Sequence, residues 1–467
     1  MSVRSTDSHP TPIRVAVVGH TNTGKTSLMR TLLRDDRFGD IRDTAGTTRY
    51  VEKSSIFAGD DEVLTLFDTP GFEDSSALLQ TLQDLATTVQ ARIPADLLRT
   101  FIAQADRFPE FAQEIKVLRQ AVNSDVLLYI IDVREPLLGK YRDEVEILGK
   151  AGKPILPVFN FIAGHGNALT RWREQMAQFN LHAALEFDTV AFDFEAEKRL
   201  YQKLQSLIES RYGELQSLLD YRKEVWDSLI HAAAQRIFHL LTEVACYRRE
   251  TEGKGGFSKA DVASLQNFVR AAEQRALQDL LSLFAFTQTD IDLQQLPVKD
   301  GQWELDIFSP HALKDFGLNA GATALKGATV GAGIDLMVGG LSLGAAALLG
   351  AALGAGWATA RRYQQELKAA WHGHRWLCVD DNTIILLYLR QRKFLHTLMH
   401  RGHAALDTVP LANDAKTLLP KPWAKMLKLL RQHPDWQQGA SNDTEYQKVQ
   451  TQVTDWLIKG EVLTEDT

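Results

Sequence analysis

The chain has 467 residues, too many for one ordinary core, so two or three domains are expected. Hydrophobic residues at 45% and charged ones at 24% are those of a globular protein, and a net charge of −7 gives no electrostatic ground for nucleic-acid binding. The two cysteines, Cys246 and Cys378, lie far apart, which excludes a disulfide framework or a cysteine zinc site and suits a reducing cytosol.

Residues 1–12 are polar, carry two prolines and lack the apolar stretch of a signal peptide, so they read as a disordered tail. The β-branched run at 13–18 reads as a buried strand. It delivers Gly19-His20-Thr21-Asn22-Thr23-Gly24-Lys25-Thr26, which fits the pattern G-x-x-x-x-G-K-[ST], and a helical pattern follows through Ser27 to Arg34. Strand, loop and helix are the context this motif requires. Glycines let the loop curl so that successive N–H groups, Ser27 included, face phosphate oxygens, and the helix N-terminus adds partial positive charge. Lys25 would reach the β- and γ-phosphates, and the Thr26 hydroxyl would hold Mg²⁺.

A polar loop at 43–50 and strands at 51–57 and 63–67 come next. The second strand ends in Asp68-Thr69-Pro70-Gly71. A carboxylate at the carboxyl end of a strand beside the phosphate loop sits where an open α/β sheet binds its ligand. Asp68 is therefore a candidate Mg²⁺ ligand, directly or through water, and the Gly71 N–H a candidate γ-phosphate donor. Together G-H-T-N-T-G-K-T at 19–26, G-T-T-R at 46–49 and D-T-P-G at 68–71 resemble the small G domains of the translation-factor-related class. Within it they look like the branch of tRNA-modification GTPases and Era-like proteins, over roughly the first two-fifths of the chain. The resemblance implies GTP and GDP as ligands, hydrolysis with Mg²⁺, and a threonine, here Thr48, that closes on the metal in the triphosphate state.

Phe72 stands where Ras-like enzymes place the glutamine that orients the attacking water. Phenylalanine cannot hydrogen-bond water, so hydrolysis needs another polar group or a cation. In potassium-activated members of the resembled branch, an asparagine at the place of Asn22 helps hold K⁺, which then neutralises charge as an arginine finger does. The other reading of Asn22 is a turn residue tolerant of left-handed geometry. Lys25, Thr48 and Asn22 are the candidate catalytic residues.

Residues 73–122 keep helical spacing, with Leu78, Leu82 and Leu85, then Phe101, Phe108, Phe111, Ile115 and Leu118, where small G domains are usually far shorter. The segment is either an enlarged switch that moves when the γ-phosphate leaves or an insertion packed on the domain flank. A central strand at 125–133, a helix at 141–151 and a strand at 154–159 follow. That strand ends in Asn160-Phe161-Ile162-Ala163, where GTPases carry N-K-x-D. Asn160 is a base-binding candidate, but the aspartate that reads guanine has become Ala163, a loss on the order of 10⁴ in discrimination. Glu186, Asp188 and Asp193 flank a strand at 189–192, and Asp193, at its end, is the candidate replacement. A helix at 195–212 closes a G domain of 13–214.

From 215 to 467 the strand–helix alternation stops. A long amphipathic helix is expected at 221–249, a break at Gly253-Lys254-Gly255-Gly256, a helix at 258–286, and an irregular or short-strand connection at 296–310. Residues 317–360 are dominated by Gly, Ala and Leu, with no charge from 336 to 357 and small-xxx-small spacing at Gly340/Gly344 and Gly350/Gly354. With Gly339-Gly340 at the tip, they read as a helical hairpin whose arms are too short to cross a bilayer singly. One spanning helix, or a hairpin buried in a bundle, are the other readings. Asp335 opposes deep insertion, so the expectation is a packed hairpin that meets the membrane only conditionally. Asp380-Asp381-Asn382 caps a helix running to about His403. Its His396, His400 and His403, with His372 and His374 nearby, are weighed as metal ligands against a solvated face. Basic amphipathic and polar helices follow at 421–431 and 446–458.

The layout resembles an uncharacterised bacterial family that joins an Era-like G domain to a C-terminal domain of unknown function. The expected fold is an α/β P-loop G domain, a mostly parallel sheet with helices on both faces, followed by an all-α domain. The expected activity is that of a cytoplasmic GTPase switch, using Mg²⁺ with K⁺ as the candidate activating cation, with an unidentified protein partner and conditional contact with the inner face of the membrane. The alternatives are an ATPase of the same fold, a nucleotide-binding scaffold without useful turnover, and an RNA-modification or ribosome-assembly GTPase.

Overall fold

The computed structural model describes residues 11–34, 51–89, 92–162, 164–187, 194–251, 258–284, 298–299, 302–316, 318, 334–338, 341–342, 375–399, 419 and 422–462. The chain forms two compact units, Met1–Trp226 with Met399–Leu406, and Asp227–Leu398 with Asp407–Thr467.

The first unit runs β1 (Ile13–Gly19), α1 (Lys25–Leu33), β2 (Glu52–Ala58), β3 (Asp61–Asp68), α2 (Ser75–Thr88), α3 (Pro94–Ala103), α4 (Ala112–Asn123), β4 (Val126–Asp132), α5 (Gly139–Gly149), β5 (Ile155–Asn160), α6 (Gly166–Gln178), β6 (Leu185–Glu186) and α7 (Phe194–Leu207). The six strands lie in the order β2-β3-β1-β4-β5-β6, with β2 antiparallel to β3 and every other pair parallel. Because both faces are covered, the central strands are apolar at almost every position. Alternate residues feed two cores: Ala16, Val18, Leu127, Tyr129 and Ile131 enter one, and Val15, Val17, Val126, Leu128 and Ile130 the other. The parallel arrangement brings the ends of β1, β3, β4 and β5, namely Gly19, Asp68, Asp132 and Asn160, to one edge of the sheet.

The enlarged segment after Gly71 is part of a core. Leu78, Leu82, Leu98, Phe101, Phe111, Ile115 and Leu118 are buried with Phe72 in the first cluster. Asp74 caps α2 by accepting the Ala77 N–H at 2.9 Å, and Pro94 opens α3. The buried Glu114 of α4 accepts the N–H groups of Glu73 (3.1 Å) and Asp74 (3.2 Å), which fastens the chain just after the glycine. Helix α6, with buried Trp172 and Met176 one turn apart, was not expected from the sequence.

The second unit is largely helical. Helix α8 (Tyr212–Cys246) starts earlier than expected and is unbroken; α9 (Lys259–Leu283) opens on a capping box in which Ser258 and Asp261 satisfy each other's backbone N–H. Helices α10 (Pro310–Asp315), α11 (Asp381–Met399), α12 (Trp423–Gln432) and α13 (Thr444–Val462) follow. Asp380 caps α11, accepting from Thr383 N at 3.0 Å and Thr383 Oγ1 at 2.8 Å.

Two small sheets accompany the helices, one of them in the short-strand connection expected at 296–310. Strands β8 (Val298–Lys299) and β9 (Gln302–Trp303) pair with each other. A four-stranded antiparallel sheet contains β7 (Arg249–Thr251), β10 (Ile334–Val338), β11 (Leu341–Ser342) and β12 (Arg375–Val379), in the order β11-β10-β12-β7. Strands β10 and β11 pair with each other where the arms of a helical hairpin were expected. The reason is pairing at a distance: β10 finds partners in β12, which no local composition announces. Gly344, Gly350 and Gly354, and His372, His374, His400 and His403, lie outside the described residues. Among the described residues no helix is long and apolar enough to cross a membrane, and no group of three His, Cys, Asp or Glu is placed to hold a metal.

Candidate nucleotide-binding site

The phosphate loop takes the curl that the motif demands. Gly19 has φ 145° and a Cβ there would stand 2.6 Å from the Ile130 carbonyl oxygen, so only glycine fits. Asn22 has φ 63° and is exposed, which is the geometry of its turn reading. Gly24, at φ 93°, hands the chain to α1, whose first turn holds no acidic residue to compete with an anion. Thr23 Oγ1 donates to the His20 carbonyl at 3.0 Å.

Lys25 is buried, and its Nζ donates to the carbonyls of Gly19 (3.2 Å) and His20 (2.6 Å). Burial lowers its pKa from 10.5 to about 8, against the pull of the Asp68 and Glu144 charges. Thr26 Oγ1 donates to Asp68 Oδ2 at 2.7 Å. Asp68 Oδ1 is buried without a hydrogen-bond partner, and burial raises the Asp68 pKa despite Thr26 and Lys25. A hydroxyl and a carboxylate side by side, with one buried oxygen unsatisfied, fit a small hard cation bound by oxygen ligands.

Thr69 Oγ1 donates to the Val17 carbonyl at 2.7 Å, so Thr69 ties the turn to β1. Gly71 approaches so closely that a Cβ would lie 2.6 Å from Thr21 N and Cα. The next N–H, of Phe72, donates to the Gly19 carbonyl at 3.3 Å, and the Phe72 side chain is fully buried. It therefore faces the core and not the site. Asn160, also fully buried, donates from Nδ2 to the Thr23 carbonyl at 2.9 Å and accepts the Phe161 N–H at 2.9 Å on Oδ1. Thr48, Ala163, Asp188 and Asp193 lie outside the described residues; Glu186 is ion-paired with Arg173.

Two groupings were not anticipated. Glu144, fully buried on α5, lies 2.8 Å from His20 Nδ1 and accepts from the Tyr129 hydroxyl at 2.8 Å. Lys140 Nζ stands 2.8 Å from His20 Nε2. Lysine can only donate and a carboxylate only accept, which assigns the neutral Nδ1–H tautomer to His20. The signal was present: Tyr141, Glu144, Val145 and Leu148 share one helix face, and a carboxyl on a core-facing stripe needs partners. The second grouping is Asp132, Arg134 and Phe161. Arg134 grips Asp132 with Nε to Oδ1 (2.9 Å) and Nη2 to Oδ2 (2.7 Å), while its guanidinium lies 3.7 Å from the Phe161 ring centroid.

Residues 14–161 match the family model described as "50S ribosome-binding GTPase", and residues 173–458 match "Domain of unknown function (DUF3482)". The chain is 27% identical over 187 residues to GTPase Der of Nautilia profundicola, covering 39% of this chain and 38% of that protein. It is 35% identical over 85 residues to tRNA modification GTPase MnmE of Aliarcobacter butzleri, covering 18% of each. A crystal structure of Era in complex with MgGDPNP and a segment of 16S ribosomal RNA matches 38% of this chain and 50% of that one, at 20% identity and a TM-score of 0.27. The chain thus spans well under two thirds of these relatives. The G-domain match ends with the first unit's nucleotide edge, and the second model takes up more than half of the chain. The chain therefore belongs to the family defined by the domain of unknown function DUF3482, carried behind a G domain similar to those of GTPase Der and MnmE.

Proposed function

We propose that the protein is a Mg²⁺-dependent GTP-binding switch with slow GTPase activity, whose nucleotide state governs the helical second unit. The observation that carries this reading is the Thr26–Asp68 pair with its unsatisfied carboxylate oxygen, set against the buried Lys25 at the carboxyl edge of the sheet. In this reading Lys25 leaves the Gly19 and His20 carbonyls for the β- and γ-phosphates, and the loop N–H groups hold the remaining oxygens. Mg²⁺, when bound, neutralises the phosphates, with Thr26, Asp68 and Thr48 as its proposed protein ligands. Gly71 moves off Thr21 to meet the γ-phosphate, and Glu114 carries that shift to α4. Asn160 and Asp193 are the proposed base-binding residues.

Phe72 gives no group to orient water, so turnover is assigned to K⁺ at Asn22. The same burial of Phe72 favours a second reading, a nucleotide-binding scaffold without useful turnover. One experiment separates them: GTP binding and hydrolysis with and without Mg²⁺, in K⁺ and in Na⁺. Hydrolysis is expected to exceed the intrinsic Ras-type rate, on the order of 10⁻⁴ s⁻¹, in K⁺ only. Asn22→Ala should erase the salt difference, and Asp68→Ala the dependence on Mg²⁺. Equal rates in both salts would leave Asn22 as the turn residue that its φ describes, and Mg²⁺-independent binding would remove Asp68 from the site.

Membrane contact through residues 317–360, outside most of the described structure, belongs to the same proposal and rests on their Gly/Ala composition and the uncharged run at 336–357. The protein is expected to float with anionic liposomes in one nucleotide state and not the other. Failure to float with either a GTP analogue or GDP removes the membrane from the account.

A further inference from the structure

We infer that Arg134 and Phe161 form a stacking platform for the purine base, an assignment that rests on the nucleotide-binding reading of the site. Phe161 occupies the place where N-K-x-D has its lysine, and it stands at φ 56°. That region is rarely used by a bulky side chain, and such outliers persist where the surroundings hold them. Here the hold is visible, because Asn160 Oδ1 accepts the Phe161 N–H while Asn160 Nδ2 reaches the phosphate-loop carbonyl of Thr23. The Phe161 backbone is thus tied to the loop that would carry the phosphates.

Arg134 completes the surface. Its guanidinium carbon stands over the ring 3.7 Å from the centroid, closer than the other cation–ring pairs among the described residues. The Asp132 carboxylate fixes the fork from one side with two hydrogen bonds. Asp132 is itself nearly buried at the end of β4, directly across the ladder from Asn160. The loop that carries Arg134 is pinned further by Trp172 Nε1, which donates to the Glu135 carbonyl at 3.2 Å. The Arg134 side chain nevertheless stays 51% exposed. A salt-bridged guanidinium contributes little net charge to a triphosphate. What it offers is a rigid, polarised plane, and purines stack on such planes with either base identity. Base affinity then comes from this plane, while any choice of guanine comes from hydrogen bonds elsewhere.

The test uses the full-length protein and titration calorimetry with GTP, ATP and inorganic tripolyphosphate. Arg134→Ala is expected to weaken GTP and ATP by the same factor, roughly 5- to 150-fold, with their ratio unchanged and tripolyphosphate binding unaffected. Arg134→Lys, which keeps the charge beside Asp132 but not the plane, should lose as much; it also serves if the alanine variant does not fold. Full retention of affinity in Arg134→Lys, or an equal loss for tripolyphosphate, overturns the platform and leaves Arg134 as a clip on its loop. An unsubstituted protein that binds tripolyphosphate but neither nucleotide also overturns it. One that binds none of the three overturns the nucleotide-binding reading itself, a separate result.

Discussion

Lys25→Ala is expected to weaken triphosphate binding more than any other substitution in the loop. The ammonium is buried and held by two loop carbonyls, so it is aimed at the loop's interior before any ligand arrives. Removing one partner of a buried charge pair costs roughly 2 to 5 kcal/mol of binding, about 30- to 5,000-fold. The free protein should not lose comparable stability. Its Lys25 pKa is lowered to about 8, so the fold disfavours the charged form. The unfolded chain binds more protons between about pH 8 and 10.5, and stability from this group rises with pH across that window. Below pH 8 the buried ammonium is therefore a cost that phosphate relieves. It follows that nucleotide affinity falls as pH rises above 8, by up to about tenfold per unit, and that binding there takes up a proton. Calorimetry in two buffers of different ionisation enthalpy reads that proton. Wild-type affinity in Lys25→Ala would sink the phosphate-loop assignment, and a flat profile from pH 7 to 9.5 would show that burial does not lower the Lys25 pKa.

Glu144→Ala is expected to be the most destabilising of the substitutions considered. It strips partners from the His20 imidazole and the buried Tyr129 hydroxyl at once, and it leaves a cavity under the phosphate loop. Each buried neutral donor left unsatisfied costs about 1 to 3 kcal/mol, and two are orphaned here. Glu144→Gln keeps an acceptor for Tyr129 and should lose less than half as much, while His20 must change tautomer to meet an amide donor. Urea unfolding followed separately for each unit measures this, since two units need not unfold together. The loop should suffer too: Glu144→Gln, though folded, is expected to bind triphosphate more weakly, because His20 shares its carbonyl with Lys25 and its ring with Glu144. An unchanged unfolding midpoint in Glu144→Ala would mean that the cluster is solvated and contributes nothing.

The local readings that survived have local causes. The phosphate loop at 19–26, the strand ends at Asp68 and Asn160, and the helices capped by Ser258 and Asp380 each depend on neighbours within a few residues. Glycine freedom, β-branching and side-chain capping are intrinsic to such short stretches. For the same reason the burial of Phe72 agrees with what an aromatic residue at that place implies, a side chain that cannot serve water.

What the sequence by itself determined, then, is the class of the first unit and the curl of its loop at 19–26, because a strand–loop–helix motif carries its geometry in its own glycines and periodicity. The tertiary structure alone decided the rest. It joined His20 to Glu144 across 124 positions, set Arg134 on Phe161, and paired the strand at 334–338 with that at 375–379. Each is a contact between segments whose local patterns are silent about one another. A buried carboxyl, a cation over a ring and an unpaired strand edge are all unfavourable alone, and only the partner that the fold delivers makes them stable.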